Sequence, residues 1–286
     1  LKAYGLKACA VLLLISLANT LHAAIWVITY PQSSVEDDLR HQYPLALLSL
    51  ALEKTNVRFE LKPSTSAMPQ ARAIKRLEEN LEINVFWSMT DITREEQLLP
   101  IRIPIAKGLI GWRMLVAPRH SPFLNAPINN LSDLLEYEPV QGIAWPDTKI
   151  LQANGFNVVT ARDYSDAMNM VSAGLADFFP RSVIELDSQL QDSVNNNLEL
   201  RRDLALQYPS AMYFFVNKRN VTLAKLIETG LERAIADGSF NMLFEQHFGK
   251  TIRLLDLSNV RHFELANPLL PKLTPTSRQE LWYRAK

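Results

Sequence analysis

Apolar positions in the first part of the chain alternate between two patterns. Short runs of apolar and β-branched residues at 25–29, 58–61 and 83–87 read as strands. Between the first two, Leu45, Leu47, Leu48, Leu50 and Leu52 give a broad helical face up to Lys54, with Pro44 kinking that helix or marking its start. Ser66 reads as the N-cap of a second helix, with Pro69 in its first turn and its end at Asn80. Strand, helix, strand, helix, strand predicts a parallel sheet with helices on its faces.

Beyond Val116 the register changes. Pro118, Pro122 and Pro127 punctuate a polar loop, and Asn130 or Ser132 caps a short helix through Leu135. Strands are expected at 141–144 and 157–160, and helices after Trp145-Pro146-Asp147-Thr148 and over 165–173, the latter stopped by Gly174. Phe178-Phe179 reads as a short strand, and Pro180-Arg181-Ser182 as the opening of the next helix. This second α/β unit reads as an insertion into the first. Strands at 204–207 and 211–216 return to it, followed by a helix over 222–237 that Gly238 ends and an amphipathic turn or two over 240–248. The remainder, with Pro268, Pro271 and Pro275, reads as an extended tail lying back on one lobe.

At 286 residues and 48% hydrophobic content, the chain holds core material for one large or two smaller domains. Residues 1–23 read as a cleaved secretory signal, with Lys2 and Lys7 ahead of a short apolar core and Ala23 at the cleavage point. The single cysteine, Cys9, lies inside that leader. The exported chain therefore carries no thiol, which suits an oxidising periplasm. Thirty basic residues balance thirty acidic ones, and loss of the leader removes only two lysines. That balance argues against a nucleic-acid partner.

No phosphate-binding loop, dinucleotide fingerprint, His-Glu-x-x-His or Gly-x-Ser-x-Gly occurs. His41, His120, His247 and His262 are scattered singly and read as surface residues. Neither a cofactor nor a metal is expected, and nothing supports an enzyme beyond the existence of a cleft. What remains are small polar groups at strand ends, where ligands bind in open α/β sheets. The stretch 85–116 concentrates them: Trp87, Ser88 and Thr90, then Arg94 in the first turn of a helix, then Arg113 inside an apolar run. A cation in a first turn opposes the helix dipole, so Arg94 calls for another reason, such as a bidentate grip on a carboxylate. Tyr30, Trp87 and Trp145 are candidate apolar walls. Asp147, Thr148 and Arg181 are candidate polar groups from the second unit.

Ile-Thr-Tyr-Pro at 28–31, Ser-Met-Thr-Asp-Ile-Thr-Arg-Glu-Glu at 88–96, Ile-Pro-Ile-Ala-Lys-Gly at 103–108, Leu-Ser-Asp-Leu-Leu at 131–135, Gly-Leu-Ala-Asp at 174–177 and Ala-Asp-Gly-Ser-Phe at 236–240 occur in that order. Together they resemble the periplasmic substrate-binding proteins of family 3, the amino-acid-binding type, over most of residues 25–249. The resemblance implies an α/β, two-lobed periplasmic-binding-protein-like fold (type 2). Its lobes would be joined by two crossover strands, near 112–117 and 204–207. It divides the chain into 24–113 (lobe 1, first part), 114–205 (lobe 2, inserted) and 206–286 (lobe 1, second part, and tail). By the same resemblance, Arg94 grips a ligand carboxylate, Ser88 and Thr90 supply hydroxyls, Tyr30 covers the ligand and Thr148 adds a hydroxyl from the second lobe.

This sequence departs from the family pattern twice. The step from Thr90 to Arg94 is one residue shorter, and the acid that holds a ligand ammonium should fall near 181–182, where Arg181 stands instead. The expectation is therefore a small polar metabolite, either an anion such as a dicarboxylate or an amino-acid-like compound, with Asp147 as the alternative amine partner. The chain reads as a monomeric binding protein serving a membrane permease. A sensor that reports to a membrane kinase on a separate polypeptide and a dehydratase-like enzyme on the same scaffold are the alternatives.

Overall fold

In the computed structural model, which describes residues 25–33, 39–186 and 197–284, β1 (Trp26–Gln32) and β2 (Phe59–Ala67) form a parallel pair. The expected leader lies outside the described residues. Helix α1 (Leu39–Glu53) joins the two strands, burying Leu47, Leu48, Ala51 and Leu52, with Pro44 inside it. Helix α2 (Gln70–Glu78) follows β2, with Pro69 as its N-cap. Ser66 does not cap it; that residue belongs to β2, and its carbonyl accepts from Ser64 Oγ at 2.8 Å. A proline holds the residue before it extended, so the helix cannot begin upstream of Pro69.

Strand β3 (Val85–Met89) is buried along its whole length. It runs antiparallel to β10 (Met212–Val216), whose other edge carries β4 (Leu99–Ile101). Asn84 links this sheet to β1: its N–H donates to the Thr29 carbonyl, and its Oδ1 accepts from the Thr29 N–H, each at 2.8 Å. Between β3 and β4 lies α3 (Ile92–Gln97), capped by Asp91. Helices α7 (Val221–Ala236) and α8 (Ser239–Leu255) close this half, α8 running well beyond the expected turns over 240–248.

The second half is built on a sheet in the order β11-β9-β5-β8. Here β5 is Trp112–Pro118, β8 Phe179–Ser182, β9 Leu198–Gln207 and β11 Arg261–Glu264. β5 and β9 run antiparallel from Trp112 opposite Gln207 to Pro118 opposite Leu198, over the stretches where the two crossover strands are expected. Beside them, β6 (Val140–Gly142) and β7 (Val159–Ala161) pair in parallel. Helices α4 (Leu131–Leu134), α5 (Pro146–Ala153) and α6 (Tyr164–Ser172) complete this half. Phe123, Phe156 and Phe178 centre its core, and Phe123 and Phe178 stack 4.8 Å apart.

Pro180 and Arg181 do not open a helix: they lie in β8 against β5, with Arg181 opposite Met114, whereas Ser182, the last residue of β8, caps the 3-10 helix (Val183–Glu185) that follows. The preference of a pre-proline residue for extended backbone and the ladder offered by β5 both favour the strand. The tail is extended as expected, but it touches both halves rather than one. β11 pairs in parallel with β9, Leu265 packs in the second-half core, and Trp282 packs against the first. Among the described residues no helix is long and apolar enough to cross a membrane.

α7 crosses α1 at Gly230, where an added Cβ would stand 1.8 Å from the Ala51 carbonyl oxygen. Alanine gains about 1 kcal/mol in helix propensity over glycine. A backbone clash outweighs that, because neither helix can yield locally. Gly230→Ala is expected to lower stability by about 1–3 kcal/mol in urea unfolding.

Candidate functional site

Between the halves lies a cavity of about 390 Å³, the size of a small-metabolite site. Its first-lobe wall is Pro31, His41, Gln70, Trp87, Ser88 and Met89. Its second-lobe wall is Trp145, Asp147, Tyr164, Arg181 and Glu185, and Arg113 on β5 lines it between the two. The side chains reach it because β3 ends at the cleft, α5 begins there, and β5 and β8 pass beneath it.

Arg113 on β5 is almost fully buried. Its Nη2 lies 2.5 Å from Asp147 Oδ1, and its Nη1 lies 3.7 Å from Glu185 Oε2. Its guanidinium stacks 5.6 Å from the Tyr208 ring centre, and the Tyr208 hydroxyl donates to Asp147. Burial alone disfavours the charge on Arg113. Asp147, Tyr208 and Glu185 together outweigh burial and hold its pKa above the ordinary arginine value. Burial also pushes the Tyr208 hydroxyl well up, against the opposing pull of Arg113, so it remains protonated and a donor. Asp147 sits in the first turn of α5, where a carboxylate is favoured by the helix dipole. Arg113 Nε finds no acceptor among the described residues.

Arg181 on β8 is equally buried, with Nη2 3.0 Å from Glu185 Oε2. Its guanidinium lies 4.6 Å from the Phe179 ring centre, 5.1 Å from Tyr164 and 5.6 Å from Trp145, an aromatic box suited to a delocalised cation. The Trp145 ring lies over Gly142, where any Cβ would collide with it at 2.5 Å. Glu185, absent from the sequence-based candidates, joins the two arginines. Its carboxylate also accepts from the Ser182 N–H at 3.3 Å, completing a capping box. The Ser-x-x-Glu spacing of 182–185 was the available sequence signal.

Of the expected first-lobe residues, Trp87 and Ser88 line the cavity. Ser88 Oγ accepts from Arg94 Nη1 at 2.9 Å and from Gln70 Nε2 at 3.2 Å. Both lone pairs are thereby used, which leaves the hydroxyl hydrogen to donate into the cavity. Arg94 itself stands behind Ser88 rather than in the wall. Its Nη1 also donates to the Met89 carbonyl, and its Nη2 lies 3.5 Å from Asp91. Burial pulls the Arg94 pKa down, while Asp91 and Asp147 oppose that shift.

Thr90, Tyr30 and Thr148 are not in the wall either. Thr90 donates to Glu95 at 2.9 Å, Thr148 donates to the Gly142 carbonyl at 2.7 Å, and the half-buried Tyr30 ring lies 6.1 Å from Trp87. His41, expected at the surface, lines the cavity with its ring edge-on to Trp87 at 5.0 Å. Among the described residues, no cluster of His, Cys, Asp and Glu could hold a metal ion.

No protein-family model matches the sequence, and no curated protein matches it. Solved structures do match its fold. The periplasmic VFT2 domain of BvgS from Bordetella pertussis is 17% identical, with a TM-score of 0.60 over 78% of this chain and 93% of that one. A Salmonella typhimurium periplasmic binding protein of high arginine specificity is 13% identical, with a TM-score of 0.58 over 78% and 99%. A histidine kinase sensor domain similar to periplasmic binding proteins is 15% identical, with a TM-score of 0.56 over 79% and 96%. The chain thus has a two-lobed, periplasmic-binding-protein-like fold of type 2.

Removing one member of a buried ion pair leaves the other uncompensated. Arg113→Met is expected to cost about 3–5 kcal/mol in urea unfolding, and Arg113→Met/Asp147→Asn to recover part of that loss.

Proposed function

We propose that the protein captures a small polar metabolite by closing two lobes over it, and that the ligand carries both a carboxylate and an ammonium group. The carrying observation is that each cavity arginine is paired with an acid, Arg113 with Asp147 and Arg181 with Glu185. The acid missing at 181–182 by sequence is supplied by Glu185. A dicarboxylate entering this site would meet two carboxylates as well as two guanidinium groups. A zwitterion meets a complement at both ends, with Trp87 and Trp145 as apolar walls.

In this reading Ser88 and Arg113 face the carboxylate, while Asp147 and Glu185 face the ammonium. Arg94 orients Ser88. Arg181 closes the second-lobe side, and Thr90, Tyr30 and Thr148 support the shelf from behind. The lobes would comprise 24–113 with 206–286, and 114–205 between them, with β11 and Leu265 of the tail lying across on the second-half sheet and core. The leader would take the chain to the periplasm, where it would work as a monomer delivering its ligand to a membrane permease.

A sensor role is a second reading, favoured by the likeness to a histidine kinase sensor domain and to the BvgS domain. An adjacent permease and ATPase gene pair would favour transport, and an adjacent kinase gene would favour sensing. The competing dehydratase-like reading requires turnover of a panel compound by the purified protein.

Thermal-shift screening against amino acids and dicarboxylates is expected to find a zwitterion that raises the midpoint. Ligand at a hundredfold excess over Kd contributes about 2.7 kcal/mol. Glu185→Gln should shift preference toward dicarboxylates. Arg94→Ala should weaken binding about tenfold or more through loss of an ordered Ser88 hydroxyl, and Arg119→Ala, on the exposed end of the hinge sheet, should leave it unchanged. Equal effects of these two arginine substitutions, read by isothermal titration, would sink the assignment.

A further inference from the structure

The extended tail crosses from one lobe to the other at a point that bears on the cleft. Leu265 donates its N–H to the Gln207 carbonyl at 2.8 Å and packs in the core with Phe123, Phe156 and Phe178. The next residue, Ala266, is bonded in both directions to Asn154. Its N–H donates to Asn154 Oδ1 at 2.9 Å, and its carbonyl accepts from Asn154 Nδ2 at 2.8 Å. Three residues on, the Leu269 carbonyl accepts from the Ile92 N–H at 3.2 Å. Beyond that the tail stays on the first lobe, where Arg278 grips Glu232 of α7 at 2.5 and 3.0 Å and Tyr283 donates to the Lys107 carbonyl at 2.8 Å.

Asn154 is the C-cap of α5, whose first turn presents Asp147. Ile92 is the first residue of α3, which carries Arg94 and through it orders Ser88. The tail therefore fastens the helix that presents Asp147 to the helix whose Arg94 orders Ser88. From Ala266 to Leu269 there are three Cα–Cα steps, at most about 11 Å of chain.

We propose that residues 266–269 form a tether that fixes the spacing of α5 and α3 and so limits how far the cleft opens. This rests on the reading of the cleft as a site that opens and closes, and it adds a third tie between lobes already joined by β5 and β9. Rotation of one lobe against the other must be absorbed within this segment or must break a bond at Asn154, at Ile92, or from Asn267 Nδ2 to the Pro209 carbonyl, which is 2.8 Å long. Freeing Ala266 adds up to about 3.5 Å of slack, since Leu265 becomes the next anchor.

The test is the distance between spin labels at Lys75→Cys on α2 and Asn169→Cys on α6, exposed positions on the two sides of the cavity, in a Cys9→Ser background without ligand. Asn154→Ala removes both bonds. Ala266→Pro removes the donor by an independent route, and far-UV circular dichroism checks that each variant folds. Asn154→Ala is expected to move the distance distribution outward by up to about 3.5 Å, and Ala266→Pro, which keeps the carbonyl bond to Asn154, to move it outward by less. Arg278→Ala, which loosens the tail within one lobe, should leave it in place. An unchanged distribution in the first two variants overturns the tether, as does an equal shift with Arg278→Ala. No ligand enters the measurement, so a chain that bound nothing in the screen would still decide it.

Discussion

The structure turns on the buried contact between Arg113 and Asp147. Arg113 belongs to β5, in the middle of the four-stranded sheet, and Asp147 lies in the first turn of α5, which begins at the cleft. Removing both charges from water costs several kcal/mol per ion, and only close geometry with further hydrogen bonds offsets that cost. Tyr208 supplies one of those bonds, and Glu185 brings a second carboxylate within reach. The pair therefore fixes where α5 begins relative to β5. The wall residues at the head of α5, Trp145 and Asp147, follow from that placement.

Much of the fold was legible in the sequence because it rests on local rules. Asn130 announced the helix it caps, Gly174 and Gly238 adopt the left-handed conformations that end helices, and the leucines of α1 bury as their spacing demands. Pro180 and Ser66 were misread because each sits where two local rules compete. A hydroxyl or proline that opens a helix in one context lies in a strand when a neighbouring edge is there to pair with it. The pairing partner of β8 is β5, more than sixty residues earlier, and no window around Pro180 contains it.

The site was legible in outline and not in its allocation of roles. Ser88, Trp87, Arg113, Asp147 and Arg181 do converge, because the ends of strands and starts of helices gather at one place in an open α/β fold. What the sequence could not show is which hydroxyl faces the cavity and which is turned to a neighbour. Thr148 satisfies a carbonyl six residues back, and Thr90 satisfies Glu95. Glu185 escaped notice because its position depends on the 3-10 turn after β8, a bend set by tertiary packing. The two arginines consequently looked unopposed.

β11 pairs with β9 more than fifty residues after that strand has left the sheet, and it does so in parallel, on the outer edge. Pairing between such distant segments forms late, because chain entropy must be lost before the contact contributes anything. A chain that emerges from its N-terminus can thus build both halves before the segment that fastens them is present. Without residues 261–269 the outer edge of β9 and the Asn154 amide lose their native partners, and an open strand edge of that kind is a template for pairing with another chain.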